Sequence, residues 1–220
     1  MNGFTKKNDL PPVYLLSVTE AALIPKAWCE ERFPKRMERS RRFRREEDKL
    51  RSVAAGALEV YALGVDESGI RIDENGKPTA PESGYSFSLS HSGDYAVLAL
   101  RDGEIGVDLE KIEDAHLRVA ERVFTPEELC WMREEPKSRF CILWTLKESV
   151  CKLDGRGLSL PMESFSVLPL TEGGCIALNG KKLFGSSRIF ETYALSLCTT
   201  KKTDGFALRI LTAEDILSVR

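Results

Sequence analysis

Histidine is nearly missing from this chain, with two in 220 residues, His91 and His116. The six cysteines never stand in a C-x-x-C spacing. Together these absences argue against a zinc site of the finger or ribbon type. A chain this long needs no disulfides to hold a core, so free thiols in a reducing compartment are expected. No apolar run approaches the ~20 residues of a membrane span. Residues 1–16, MNGFTKKNDLPPVYLL, lack the apolar stretch and small-residue cleavage site of a secretory leader. The expectation is a cytoplasmic protein with no membrane contact. A basic balance is also lacking, since the net charge is −2. Nucleic-acid binders usually show a basic domain, so no nucleic-acid partner is expected.

What is present is an ordinary globular mixture, 42% hydrophobic and 30% charged. Its charge is uneven. Residues 32–51 hold ten basic side chains against four acidic ones. A local basic cluster on an acidic chain suits a small polyanion or an acidic partner. The same cluster could be a solvated helix face with internal ion pairs.

Residues 11–17 read as a short strand. Residues 34–63 read as helical, with Leu50, Val53, Ala54, Ala57, Leu58 and Tyr61 at three- and four-residue steps and Gly64 as the stop. Asn75-Gly76 marks a tight turn, with Lys77 just beyond it. Residues 85–110 read as three strands of a meander. Ser86, Ser88 and Ser90 alternate with Tyr85, Phe87 and Leu89 in the first. In the third, Asp108 and Glu110 share one face while Ile105, Val107 and Leu109 share the other. First and third strands of a meander run parallel, so Ser90-His91 and Asp108-Glu110 should meet at one sheet edge. Two nearby carboxylates suit Mg²⁺, which takes one or two of them with water and phosphate.

Thr125, Pro126 and Glu128 form the start of a helix, with a capping box. Residues 137–153 form a longer helix that Gly155 and Gly157 end. On it Trp144, Glu148 and Lys152 share a face at four-residue steps. Leu143, Val150 and Leu153 point toward a core. From Ser164 on, FSVLPL, CIALN, IFETYALSLCTT and GFALRILT each read as strand, and a short helix begins near Ala213.

Three motifs in order, FSLSHSGDYAVLAL, IGVDLE and WTLKESVCKLDGRGLSLP, together resemble the surfactin-type 4′-phosphopantetheinyl transferases. The resemblance runs over residues 34–167. It implies an α+β fold of two similar halves, 1–104 and 105–220, about a pseudo-twofold axis, in a monomer. It implies transfer of phosphopantetheine from coenzyme A to a serine of an apo acyl or peptidyl carrier protein, releasing adenosine 3′,5′-bisphosphate. By position, Asp108, Glu110 and Glu148 would hold Mg²⁺, or Mn²⁺ in its place. Lys152 would neutralise charge on the phosphate. Arg36, Arg39, Ser52, Lys77, Ser90, His91 and Lys147 would contact coenzyme A. Arginine at 36 and 39 replaces lysine of a well-known member, which keeps the charge and changes the geometry. The base that deprotonates serine would be Glu148 or Glu128.

Overall fold

The computed structural model describes residues 10–113, 119–170 and 174–219, apart from the Leu158 side chain. Residues 1–9 and His116 lie outside the described residues.

Strand β1 (Pro12–Ser17) leads into three short helices, α1 (Val18–Ala21), α2 (Lys26–Arg32) and α3 (Pro34–Ser40), then the long α4 (Glu46–Leu63). The single helical region expected over 34–63 is thus two helices. The chain breaks over residues 41–45, where four arginines flank an exposed Phe43 and no apolar stripe continues the helix. Gly64, in the left-handed conformation, closes α4. A small hairpin follows, β2 (Arg71–Ile72) and β3 (Pro78–Thr79), turned at Asn75-Gly76. Then come β4 (Ser86–Ser92), β5 (Tyr95–Arg101) and β6 (Ile105–Lys111).

These last three are not one meander. The first sheet has the order β10-β1-β5-β4, where β10 is Ala207–Leu211. The second has β6-β9-β8-β7, built from β7 (Gly174–Leu178), β8 (Lys181–Phe190) and β9 (Tyr193–Thr199). Between the sheets in sequence lie α5 (Ala120–Val123), α6 (Pro126–Met132) and α7 (Pro136–Asp154), and α8 (Ala213–Leu217) ends the chain. The stretch IFETYALSLCTT is split by a two-residue turn, with Glu191 at φ 51°. FSVLPL is no strand and runs as a loop under α7.

Alternation along the strands explains the layering. Val13, Leu15, Val97 and Ala99 of the first sheet meet Ile105, Val107, Leu109, Leu195 and Leu197 of the second in one apolar layer. The opposite faces carry Tyr14, Leu16, Ala96 and Leu98 onto α4, and Ala194 and Cys198 toward α7. The result is a helix–sheet–sheet–helix stack in an α+β fold, each sheet backed by one long helix. Burying a residue such as Leu15 or Leu109 in that middle layer is worth about 1.5–3 kcal/mol apiece. The chain's last strand, β10, lies parallel beside β1, so residues beyond 105 complete the first sheet.

Candidate active site

The edge strands β4 and β6 lie side by side without pairing as a ladder, and serine hydroxyls bridge them. The Val107 amide donates to Ser88 Oγ at 3.0 Å. Ser90 Oγ donates to Asp108 Oδ1 at 2.7 Å. Ser92 Oγ donates to Glu110 Oε2 at 2.8 Å and accepts from the Lys111 amide at 3.2 Å. Both strands advance together, so they are parallel. The expected meeting of Ser90 with Asp108 therefore holds, across two sheets instead of within one.

Helix α7 reaches this seam because Gly106 lets it. A Cβ on Gly106 would overlap the Ser149 carbonyl oxygen and stand 2.7 Å from the Leu153 amide nitrogen. Backbone thus lies on backbone, two residues before Asp108 on the same strand face. Lys152 then donates to Asp108 Oδ1 at 2.6 Å and to the Leu89 carbonyl at 3.4 Å. Lys152, which shares a helix face with Glu148, thus bonds across elements to Asp108. Burial, then the neighbouring charge of Asp108, push the Glu148 carboxyl above its ordinary range. Lys152 opposes this and Glu110 adds to it. Trp144 stacks on Phe140 at 5.9 Å and packs against the core of the second half.

Lys152 therefore bonds Asp108, while the charges of Asp108, Lys152 and Glu110 all act on Glu148. Among the described residues, no three His, Cys, Asp or Glu side chains are already drawn into a metal-holding cluster. The donors nevertheless fit a hard cation. All are carboxylate oxygens, and Asp108 Oδ2 is buried with no hydrogen-bond partner.

Beside this seam lies a cleft of about 740 Å³ lined by Arg36, Arg39, Arg51, Ser52, Leu89 and His91 among others. A smaller one of about 280 Å³, lined by Lys77, Ser88, Cys151, Lys152 and Gly155, adjoins it at Pro78 and Leu89. His91 is open to the larger cleft. The protein around it displaces water and pushes its pKa down, and the charges of Arg51, Lys152 and Arg36 push the same way. Lys77 donates to the Leu153 carbonyl at 3.3 Å, and burial lowers its pKa. Arg36 spends one nitrogen on both oxygens of buried Glu59, at 2.8 and 2.7 Å, while Arg39 lies 3.6 Å from Glu67. Arg51, a member of the basic cluster but not among the expected contacts, donates to the Gly93 carbonyl at 2.6 Å. Ser92 is likewise not among the expected contacts, although it continues the alternation of Ser86, Ser88 and Ser90.

Two expected site residues are not in the cleft. Lys147 and Glu128 are both 0% exposed and pair with each other at 2.9 Å. Lys147 also donates to the Met162 and Phe165 carbonyls at 2.7 and 2.6 Å. Glu128 closes its capping box with Thr125 and accepts from the Val167 amide at 2.8 Å. Lys147 is one residue, about 100° of helix rotation, from Glu148, so it faces the core when Glu148 faces the seam. In this structure Glu128 and Lys147 thus face the core away from the cleft, where together they anchor α6 and the 162–167 loop on α7.

A model of the 4′-phosphopantetheinyl transferase superfamily matches residues 104–198, the stretch holding Asp108, Glu110, Glu148 and Lys152. A 4′-phosphopantetheinyl transferase of Bacillus pumilus is 33% identical over 73% of this chain and 72% of its own length. The Sfp transferase of Bacillus subtilis (strain 168) is 37% identical over 61% of this chain and 65% of its own. The mouse L-aminoadipate-semialdehyde dehydrogenase-phosphopantetheinyl transferase is 28% identical over 70% of this chain and 62% of its own. These last two matches span just under two thirds of each relative. A solved holo-[acyl-carrier-protein] synthase of Thermotoga maritima shares 20% identity over 45% of this chain and 63% of that one. Its TM-score is 0.34, too slight a likeness to weigh. Sequence kinship over most of its length, with the seam carboxylates and Lys152 inside the matched region, places this chain in the 4′-phosphopantetheinyl transferase superfamily, as a transferase of the surfactin type.

Proposed function

We propose that this chain moves 4′-phosphopantetheine from coenzyme A to a serine of an apo acyl or peptidyl carrier protein, releasing adenosine 3′,5′-bisphosphate. The observation that carries this is the seam itself. An orphaned buried carboxylate oxygen of Asp108 stands beside Lys152, Glu110 and Glu148. A cation-lined cleft large enough for a nucleotide opens next to it. Asp108, Glu110 and Glu148 would hold Mg²⁺ or Mn²⁺, which when bound offsets the charge of the pyrophosphate oxygens.

The chain's own groups do the rest. Arg36, Arg39, Ser52 and His91 line the place for the nucleotide and its 3′-phosphate. Lys77 and Lys152 line the adjoining cleft, where the pyrophosphate would lie. Lys152 faces the charge that grows on the leaving phosphate, as phosphoryl transfer requires. The serine comes from the partner, so this chain needs only a proton acceptor. Glu148, where the metal does not take up all of its carboxylate, fits that role as a carboxylate at the seam beside Asp108. No membrane or nucleic-acid partner enters this reading, and a cytoplasmic monomer suffices for it.

The test is a panel of apo carriers incubated with coenzyme A, with and without Mg²⁺. The expected result is adenosine 3′,5′-bisphosphate released only when carrier and metal are both present, with the carrier gaining the phosphopantetheine mass. Release without carrier would indicate hydrolysis of coenzyme A. Binding of coenzyme A with no release under any condition would indicate a non-catalytic module.

A further inference from the structure

The turn between β4 and β5, Ser92-Gly93-Asp94, is held from three sides. From α4, Arg51 donates to the Gly93 carbonyl at 2.6 Å. From β6, Lys111 Nζ lies 3.3 Å from Asp94 Oδ2. From β9 in the other sheet, the Tyr193 hydroxyl donates to Asp94 Oδ2 and accepts from the Asp94 amide, both at 2.9 Å.

Tyr193 is only 1% exposed, and its ring meets Tyr95 edge-on at 5.2 Å. The turn has no slack around that hydroxyl. Gly93 has φ 52°, and a Cβ there would overlap the Tyr193 oxygen and stand 3.0 Å from Lys111 Cδ. A tyrosine hydroxyl this deep usually has one partner to find. Here it takes two, both on one residue of a turn in the opposite sheet. What the turn carries on its near side is Ser92, whose hydroxyl donates to Glu110 Oε2 at 2.8 Å.

We propose that Ser92 and Tyr193 are positioning residues for Glu110. Tyr193 fixes the height of the turn against the second sheet. The turn fixes Ser92, and Ser92 aims the Glu110 carboxylate along the seam toward Asp108. Partners one step outside a metal's ligands set ligand orientation in this way. The inference rests on the metal reading above, and its test separates the two.

The probe is Mn²⁺, bound to the ligand-free protein and followed by electron paramagnetic resonance of the free ion. Thermal melts run alongside. Ser92→Ala should weaken Mn²⁺ binding roughly 10- to 100-fold, the usual cost of losing such a partner. Tyr193→Phe keeps the ring and loses only the hydroxyl, and should weaken binding in the same direction by a smaller factor. Tyr95→Phe is the control. Its hydroxyl reaches Glu191 at 3.2 Å and no part of the turn, so its Mn²⁺ affinity should match the parent's. In transfer assays, saturating metal should restore most of the turnover lost in Tyr193→Phe.

Lower melting temperatures with unchanged Mn²⁺ affinity in both variants would overturn the proposal and leave the turn a structural one. Weakening in Ser92→Ala alone would remove Tyr193 from it. If the parent binds no Mn²⁺, or Asp108→Ala binds it as well as the parent, the metal reading fails and this inference falls with it.

Discussion

Replacing Gly106 with Ala tests whether the contact of α7 on β6 sets the reacting geometry. The added Cβ would overlap the Ser149 carbonyl oxygen and lie 2.7 Å from the Leu153 nitrogen. Ordinary contact needs about 3.5 Å, so α7 must retreat by about 0.8 Å or more at this point. Neither neighbour is a side chain that can swing aside, because both are helix backbone. Overfilling a packed site of this kind costs about 1–3 kcal/mol. For a chain of this size that predicts a melting temperature lower by roughly 2–12 °C. The functional effect should be larger than the structural one. Glu148 and Lys152 stand on the turns flanking that contact, and Lys152 bonds Asp108 at 2.6 Å. A misplacement near 1 Å at a reacting centre can cost about a hundredfold in rate. The assay is single-turnover transfer to an apo carrier at saturating coenzyme A and metal, with circular dichroism to show that the helices remain. Turnover equal to the parent's, alongside the lowered melting temperature, would refute the idea that this glycine sets the site.

Lys152→Ala should cut turnover by on the order of a hundredfold or more, the worth of a preorganised charge at the transferring phosphate, with Lys152→Arg restoring only part. An unchanged rate would return Lys152 to a simple ion-pair role with Asp108. Arg36→Ala should raise the Michaelis constant for coenzyme A more than that for dephospho-coenzyme A, and equal effects would show that Arg36 does not read the 3′-phosphate. The same variant makes a pH prediction. Burial, with Arg36 opposing it, already raises the Glu59 pKa. A carboxyl raised in the folded state costs stability as pH climbs from its unfolded value through its folded one. Losing Arg36 raises it further, so the melting-temperature gap to the parent should be widest above pH 7 and close near pH 4. A gap independent of pH would show that Glu59 is not its source. Lys147→Met should cost about 3–5 kcal/mol in denaturant unfolding by stranding Glu128, and Glu128→Gln in the same chain should recover part of it. Near-parent stability in Lys147→Met would overturn the anchoring role.

Much of the site was legible because its chemistry is local in sequence. Asp108 and Glu110 share a strand face by simple alternation, and Lys152 follows Glu148 by one helical turn. The capping box at Thr125 and the glycine stop after α7 were equally local. What could not be read was which groups meet across elements. Sequence spacing pairs Lys152 with Glu148, whereas Asp108 wins it because α7 lies directly on Gly106. Lys147 and Glu128 carry charge, and charge reads as surface until a buried partner is seen. Turn chemistry hid the split in IFETYALSLCTT, since Glu191 adopts a left-handed conformation that glycine or asparagine usually signals. The division of β4, β5 and β6 between two sheets also had no local signal. Each strand is apolar enough for either arrangement, and only the bridging serines distinguish a seam from a ladder.

The parallel pairing of β1 with β10 has a consequence for how the molecule comes into being. Val13 sits opposite Leu208, and Leu16 opposite Leu211. Residues up to about 211 must therefore leave the ribosome before the first strand gains its second neighbour. Such distant partners make for slow closure, because the ordering of the intervening chain comes before any reward. A nascent fragment ending near residue 104 would carry β1 with one bare edge. It would also carry Val13, Leu15, Val97 and Ala99 uncovered on the face that the second sheet buries. Bare edges and uncovered apolar faces invite association with other chains. The two sheets should thus reach their final form as one cooperative unit, and a fragment of residues 1–104 made alone should be sticky and should recover when the remaining residues are supplied.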